Sequence, residues 1–172
     1  MSYIVISTSL NKNSKSALLA AETYKQFHAQ KLDVEWLDLR QLELPHCDGD
    51  SAYGHANVQK VKESLQKASC IVVAVPIYNY DCGSSAKNLL ELTGKACWQD
   101  KTVAFLCAAG GKSSYMSIMG FANSLMLDFS AVSSFLASSM LMDPPLLTGR
   151  SLISKLAIVS RNLSRPASNL TR

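Results

Sequence analysis

The chain has 172 residues, of which 48% are hydrophobic and 17% are charged, and its formal net charge is +4. A chain of this length and composition is expected to form one globular domain over residues 1–172, with a core that needs no metal or disulfide, and it is not expected to be disordered. The mild positive charge suits small anionic ligands and argues against a nucleic-acid partner.

Five strand-like runs alternate with segments of helical spacing along the chain. The predicted strands cover residues Tyr3–Ser7, Leu32–Leu39, Cys70–Val75, Thr102–Cys107 and Ser134–Met140. Apolar faces with helical spacing lie within residues 17–27, 58–68, 86–90, 118–129 and 152–163, and Gly94 is placed to end the third helix. This alternation predicts an α/β fold, a three-layer sandwich whose parallel sheet has helices on both faces.

The pattern of polar and apolar residues in each strand predicts the order of the strands in the sheet. The first, third and fourth strands are apolar throughout and are expected at the centre, since both of their faces would be covered. The second strand alternates polar and apolar residues and the fifth is rich in serine, as edge strands are. The prediction is therefore the flavodoxin-like order 2-1-3-4-5. In that order the loops after Ser7 and Val75 flank one crevice, where open α/β sheets bind ligands.

The number and setting of the cysteines bear on the cellular compartment. The chain has five cysteines, an odd number, and Cys70 and Cys107 lie in apolar runs. This predicts reduced thiols in a reducing compartment. Residues 1–10 resemble no signal peptide, and no apolar run approaches the roughly 18 residues of a membrane span. We expect a cytoplasmic protein without a membrane span.

The loop after the first strand, residues 8–16, consists mostly of hydrogen-bond donors and leads into a helix. The amino terminus of a helix favours an anion. The loop has no glycine, so it lacks the fingerprint for a dinucleotide pyrophosphate, whereas hydroxyls and amides could surround a terminal phosphate. The alternative is a solvated loop in which Ser14 or Ser16 caps the helix.

The loop after the fourth strand contains Gly110-Gly111-Lys112-Ser113. A Walker A motif would need glycine at the position of Leu106, so nucleotide triphosphate binding is disfavoured. The Gly-Gly turn could instead wrap the edge of a planar ring, or it could be a tight turn into the next helix.

Other polar residues have simpler interpretations. Asp38 is interpreted as a capping residue rather than a ribose ligand, because the glycine fingerprint is absent. The cluster of 46–50 with His55 matches no zinc or EF-hand spacing and is interpreted as a polar connection. The sequence has no G-x-S-x-G nucleophile elbow, so it lacks the signature of Ser-His-Asp catalysis. Two residues keep two interpretations each. Asp81 is either a capping residue or a catalytic one, and Lys87 is either a solvent-exposed residue or a catalytic one.

Taken together, the three loops resemble those of the NAD(P)H-dependent FMN reductase family, a flavodoxin-like group that includes quinone, azo-dye and chromate reductases. The family's first loop reads roughly G-S-x-R-x-x-S-x-N, and its third strand leads into P-E-Y-N-x-x-x-P-G-x-L-K-N. The chain retains from these motifs Ser9, Ser14, Pro76, Tyr78, Asn79, Lys87 and Asn88. It differs from them at Asn11, Ser16, Ile77 and Tyr80, among other positions. The resemblance runs from residue 2 to about 160.

The resemblance implies bound FMN, with chemistry carried by the flavin and not by a side-chain acid or base. The residues implied for the phosphate are Ser9, Asn11, Ser14, Lys15 and Ser16. Those implied for the ring are Pro76, Ile77, Tyr78, Asn79 and Tyr80, with Ala109, Gly110 and Gly111 near its pyrimidine edge. Tyr80 could also restrict access of the nicotinamide. No metal ligand is implied.

The resemblance also implies NADPH or NADH as electron donor, a small acceptor such as a quinone, flavin or azo compound, and a homodimer or homotetramer. Two alternatives remain, a flavodoxin-type electron carrier and a flavin-binding module without turnover. Carriers of that type tend to be acidic, so the pI of about 8.8 argues against the first alternative.

Overall fold

The secondary structure alternates strands and helices as the hydrophobic pattern predicts. The computed structural model of the protein describes residues 1–110 and 114–137. The strands are β1 (Ser2–Ser7), β2 (Asp33–Asp38), β3 (Cys70–Tyr78), β4 (Asp81–Cys82), β5 (Thr102–Ala108) and β6 (Val132–Ala137). The helices are α1 (Lys15–Ala29), α2 (Ala56–Lys67), α3 (Ser84–Thr93), α4 (Lys95–Trp98) and α5 (Met119–Phe129). Short 3₁₀ turns cover Leu39–Gln41, Ser51–Gly54 and Ser114–Ile118.

The sheet has the strand order β2-β1-β3-β5-β6, with all of these neighbours parallel, and β4 pairs antiparallel with β3. The predicted order 2-1-3-4-5 is confirmed once the two-residue β4 is left out of the numbering. The apolar strands β1, β3 and β5 are central, as expected for strands that helices cover on both faces.

Alternate residues of the central strands enter two separate cores. On one face Ile4, Ile71 and Phe105 pack with residues of α2, α3 and α5. On the other face Val5 and Val72 pack against α1, including its buried Ala20 and Phe27. Burying each such aliphatic side chain stabilises the fold by roughly 1.5–3 kcal/mol, so the sheet is fixed firmly between its helices.

The ends of the helices are satisfied by specific groups. Gly94, with a φ of 65°, follows the last residue of α3, as predicted. At the carboxyl end of α2 the Lys101 ammonium donates to the carbonyls of Leu65 (2.7 Å), Gln66 (2.9 Å) and Ala68. Burial lowers the pKa of Lys101, although the cation remains suited to the negative end of the helix dipole. None of the helices within the described ranges has the length and hydropathy needed to cross a bilayer.

The structure corrects some element boundaries. The third strand was predicted to end at Val75, but it continues to Tyr78 because β4 folds back and pairs with it. The helical face was predicted over residues 86–90, but α3 already begins at Ser84, directly after β4 and Gly83. The short helix α4 was not predicted. Residues 138–140 of the predicted fifth strand and the predicted helix at 152–163 lie outside the described residues.

A hydrogen bond between α3 and α4 provides a test of the core. Trp98 is fully buried, and its indole Nε1 donates to the Thr93 hydroxyl at 2.8 Å. Thr93→Val leaves this donor without its acceptor, and we expect the free energy of unfolding to fall by about 1–3 kcal/mol. Urea denaturation measures the change. Thr93→Ser keeps the hydroxyl and is expected to lose much less, whereas equal losses would contradict this role of the hydrogen bond.

Candidate functional site

The site begins at Thr8, the residue directly after β1. The Thr8 amide and hydroxyl both donate to the carbonyl of Ala74 in β3, at 3.1 and 2.9 Å. The Thr8 carbonyl accepts a hydrogen bond from the Ser85 hydroxyl at the start of α3. One residue therefore joins the loop after β1 to both β3 and α3.

The loop that follows is folded on itself by its polar side chains. The Ser9 hydroxyl accepts a hydrogen bond from the backbone N–H of Asn11 at 3.3 Å. The side-chain oxygen of Asn11 accepts one from the backbone N–H of Asn13 at 2.9 Å. The Ser14 hydroxyl accepts from the Ala17 amide at 3.2 Å and so caps α1. Ser14 is thus the N-cap, one of the two caps that the sequence left open. These side-chain to backbone bonds give the loop a defined shape before any ligand binds.

Residues 78–81 form a tight hairpin that the sequence analysis did not predict. Tyr78 pairs with Asp81, and the two residues between them, Asn79 and Tyr80, have φ values of 50° and 62°. Two central residues with positive φ define a type I′ turn, which favours Asn followed by Gly. Asn79 fits the first position, but Tyr80 holds a conformation that bulky side chains disfavour. The Tyr80 side chain remains 76% exposed.

Gly83 allows a close approach at the base of this hairpin. A Cβ atom at Gly83 would lie 3.3 Å from Cγ of Pro76 and 3.8 Å from a ring carbon of Tyr78. The Gly83 amide also donates to the Pro76 carbonyl at 3.1 Å. The Tyr78 ring therefore packs beside the start of α3, yet 53% of the residue remains exposed.

The loop after β1 with the start of α1, the last residues of β3, and the end of β5 with the loop that follows it line one cavity of about 260 Å³. Its lining residues are Asn11, Asn13, Ser14, Lys15, Ser16, Pro76, Ile77, Tyr78, Ala108, Ala109 and Gly110. Nine of the thirteen predicted site residues are in this set. Sequence reasoning had placed Asn13 in the donor-rich loop without assigning it to the site.

The other four predicted residues lie elsewhere. Ser9 lines an adjoining cavity of about 170 Å³, which shares Asn11, Pro76 and Tyr78 with the first cavity. Asn79 and Tyr80 form the hairpin turn and line neither cavity. Gly111 lies outside the described residues.

The electrostatic character of the main cavity favours an anion at the end formed by α1. The first turn of α1 has no acidic residue, and Lys15 lines the cavity. The Ser14 and Ser16 hydroxyl oxygens are 2.9 Å apart and nearly inaccessible to solvent. The positive end of the helix dipole adds to the cation at this point.

A larger neighbouring groove of about 540 Å³ lies beside α3 and α5 and contains Cys82. Burial is the main cause that raises the pKa of the Cys82 thiol, to about 11. This thiol is therefore protonated at neutral pH and is a poor nucleophile. Asp81 accepts from the Cys82 amide at 2.7 Å within β4, and Lys87 forms an exposed ion pair with Glu91 at 3.5 Å.

Two other polar interpretations agree with the contacts in the structure. Asp38 accepts from the Arg40 amide at 3.0 Å and so caps the turn after β2. Asp48 accepts from the amides of Asp50 and Ala52, and His55 caps α2 through Nδ1. Within residues 1–110 and 114–137, no three His, Cys, Asp or Glu side chains come together as a metal site.

The site thus combines two different environments in one cavity. Its lining includes hydroxyl, amide and ammonium groups around a helix amino terminus, and it also includes Pro76, Ile77 and the Tyr78 ring. The first environment suits a phosphomonoester and the second suits a flat, largely apolar ring system. The residues present therefore fit a phosphorylated ring such as FMN.

Comparison with known proteins gives matches of the same kind. Residues 1–136 match the family model described as NADPH-dependent FMN reductase. A NAD(P)H-dependent FAD/FMN reductase of Geobacillus thermodenitrificans is 30% identical over 90 residues, 51% of this chain and 48% of that protein. Probable NADPH:quinone oxidoreductase 1 of Oryza sativa subsp. japonica is 32% identical over 84 residues, 46% of this chain and 43% of that protein. The matched regions thus span less than half of either relative.

Solved structures show that the fold is shared more widely. An NADH:FMN oxidoreductase in its apo form superposes with a TM-score of 0.69 at 20% identity, over 97% of this chain and 92% of that chain. A flavoenzyme NAD(P)H:(acceptor) oxidoreductase from Paracoccus denitrificans gives a TM-score of 0.66 at 17% identity, over 94% of each chain. At such identities the likeness concerns the fold alone.

The left-handed conformation of Tyr80 leads to a test of stability. Tyr80→Gly removes the steric cost of positive φ and loses little buried surface, so we expect the free energy of unfolding to rise by about 0.5–1 kcal/mol. Chemical denaturation of the two proteins measures this difference. Tyr80→Ala keeps a Cβ at the same φ and is expected to gain nothing. If the Tyr80→Gly protein is no more stable than the Tyr80→Ala protein, the inference of backbone strain at Tyr80 is wrong.

Proposed function

The chain belongs to the NADPH-dependent FMN reductase family, and we propose that it is an oxidoreductase that passes electrons from NADPH or NADH, through bound FMN, to a small acceptor such as a quinone, a flavin or an azo compound. The observation that carries this proposal is the cavity of about 260 Å³ lined by the loop after β1, the end of β3 and the end of β5 with its loop. It combines a donor-rich helix amino terminus with an apolar, aromatic wall, the two environments that a phosphorylated flavin requires.

In this proposal the phosphate of FMN lies at the amino end of α1. Lys15 supplies a positive charge, and Asn11 and Asn13 supply side-chain amides at the cavity wall. The Ser14 and Ser16 hydroxyls are hydrogen-bonded to each other and can reorient toward phosphate oxygens. Ser9, which lines the adjoining cavity, acts by holding the Asn11 amide.

The ring would lie between the last residues of β3 and the segment at the end of β5. Pro76, Ile77 and Tyr78 provide the apolar wall, while Ala109 and Gly110 bring backbone to the edge of the cavity. Backbone amides at such an edge can bind the polar atoms of a pyrimidine ring and stabilise negative charge on it. Because 53% of Tyr78 is exposed, the ring would remain open to solvent on that side, as access by a second substrate requires.

When bound, FMN supplies the redox chemistry, and the residues of the chain bind and orient the reactants. Lys15 is the only titratable side chain among the described residues that line the main cavity, apart from the phenol of Tyr78. Burial raises the pKa of Cys107, in β5, to about 12, so this thiol also stays protonated. The proposal therefore assigns no side chain as a general acid or base.

The remaining features of the proposal concern the state of the protein in the cell. We propose one domain over residues 1–172, a cytoplasmic location and a homodimer or homotetramer. The cysteines of the chain are free, which suits a reducing compartment. Two large side chains outside the main cavity lining, Leu10 and Tyr80, are exposed and would be available for subunit contact.

Substitution of Ser14 tests the phosphate end. Ser14→Asp keeps an N-cap for α1 but places a carboxylate beside the phosphate, where like charges about 4 Å apart cost roughly 4 kcal/mol at an effective dielectric constant of 20. We expect FMN affinity to fall by about 100-fold or more while riboflavin affinity changes little. Isothermal titration with both ligands measures this. Ser14→Ala, which loses about 1 kcal/mol of helix stability and adds no charge, is the control. Equal losses of FMN and riboflavin would contradict the assignment.

The function itself is tested with purified protein. FMN at about 100 times its Kd is expected to stabilise the fold by about 2.7 kcal/mol, seen as a rise in Tm. Anaerobic addition of NADPH or NADH to the FMN complex is expected to bleach the flavin absorbance, and addition of a quinone to restore it. Bleaching absent with both donors would favour an electron carrier or a binding module. Absence of any FMN stabilisation would exclude the proposal.

A further inference from the structure

An ion pair at the end of β2 contacts the back of the loop after β1. Asp38, the last residue of β2, has a side chain only 2% exposed, and it pairs with Arg40 in the turn that follows. Arg40 Nε lies 3.0 Å from both carboxylate oxygens, and Nη2 contacts Oδ2. Burial alone would raise the pKa of Asp38, but the hydrogen bonds from Arg40 outweigh it and lower the pKa.

The same guanidinium reaches across to the loop. Arg40 Nη1 donates to the carbonyl oxygen of Lys12 at 3.5 Å. Because Asp38 stands beside Ser7 in the parallel pairing of β2 with β1, the turn after β2 lies next to the loop after β1. Lys12 itself does not line the main cavity, whereas its neighbours Asn11 and Asn13 do. Arg40 therefore contacts the loop at a residue that is not part of the cavity lining.

This contact differs from every other hydrogen bond of the segment 9–13. In the part of the chain that the structure describes, the remaining hydrogen bonds of these five residues stay within the loop and the adjoining cap at Ser14. The loop is anchored at Thr8 on one side and by α1 on the other. Between these anchors, and among the residues that the structure describes, Arg40 supplies the one hydrogen bond that comes from outside the loop.

We propose that Arg40, held in place by Asp38, is a positioning residue that fixes the segment 9–13 so that Asn11 and Asn13 face the anionic end of the ligand. This inference rests on the proposed function for the identity of that ligand. A guanidinium suits the role because its planar fork bonds a carboxylate with two nitrogens and leaves the third to donate elsewhere. An ammonium can neutralise Asp38 but cannot span both acceptors.

The test is Arg40→Lys, which keeps the charge beside Asp38 and removes the fork. In the flavin-free protein, we expect amide hydrogen exchange in residues 9–13 to become several-fold faster, with the exchange of α1 and β1 unchanged. We also expect the Kd for FMN to rise about three- to tenfold, the effect of losing one hydrogen bond, while the Kd for riboflavin stays within about twofold. Lys67→Arg, a substitution of the same two residue types in reverse at the end of α2, is the control and should change neither.

A second variant covers the case in which Arg40→Lys disturbs the fold. The double variant Asp38→Asn, Arg40→Gln removes both charges together, so no unpaired carboxylate remains buried, and the introduced asparagine can still cap the turn. It should reproduce the faster exchange in residues 9–13. Unchanged exchange in both variants would overturn the inference, as would equal weakening of FMN and riboflavin. If the unaltered protein fails to bind FMN, the proposed function falls, while the exchange measurement still decides the role of Arg40.

Discussion

The carbonyl of Ala74 is the point on which the site depends. It accepts hydrogen bonds from both the backbone amide and the hydroxyl of Thr8, and so fixes the place where the chain leaves the sheet after β1. Since carbonyls two residues apart in a strand point to the same side, the Pro76 carbonyl faces the same way, and it accepts from Gly83. The hairpin strand β4 therefore lies on the side of β3 where β1 has ended. With that side occupied, the chain after Thr8 has to turn away, toward α1.

This arrangement gives the cavity walls of different rigidity. The wall from β3 carries the strand hydrogen bonds and the packing of Tyr78 beside Gly83. The wall from the first loop depends on single side-chain bonds made by Ser9, Asn11 and Ser14. Short polar side chains that bond to nearby backbone can hold such a loop without glycine or proline. A ligand therefore contacts two kinds of wall. The apolar wall is held by strand pairing, and the polar wall is held by a few side-chain hydrogen bonds.

Hydrophobic periodicity was sufficient for the strand order, because central strands such as β3 and β5 are apolar on both faces and edge strands are not. It was also sufficient to bring together the loops that line the cavity, since parallel strands end at one edge. It could not reveal the hairpin at Asn79 and Tyr80, because a tyrosine at positive φ gives no turn signal of its own. Nor could it show the contact of Arg40 with the Lys12 carbonyl, which depends on the geometry of two separate turns.

The hydrogen bonds from Lys101 to the end of α2 have a consequence for local unfolding of the domain. Lys101 comes just before β5, and its ammonium satisfies carbonyls at the end of a helix that lies more than thirty residues earlier in the chain. If β5 detaches from the sheet, those carbonyls lose their donor at the same time. The last turn of α2 and the first pairing of β5 with β3 are thus coupled, and local fraying of one would spread to the other. Such coupling joins the centre of the sheet to its helical layer as one cooperative unit.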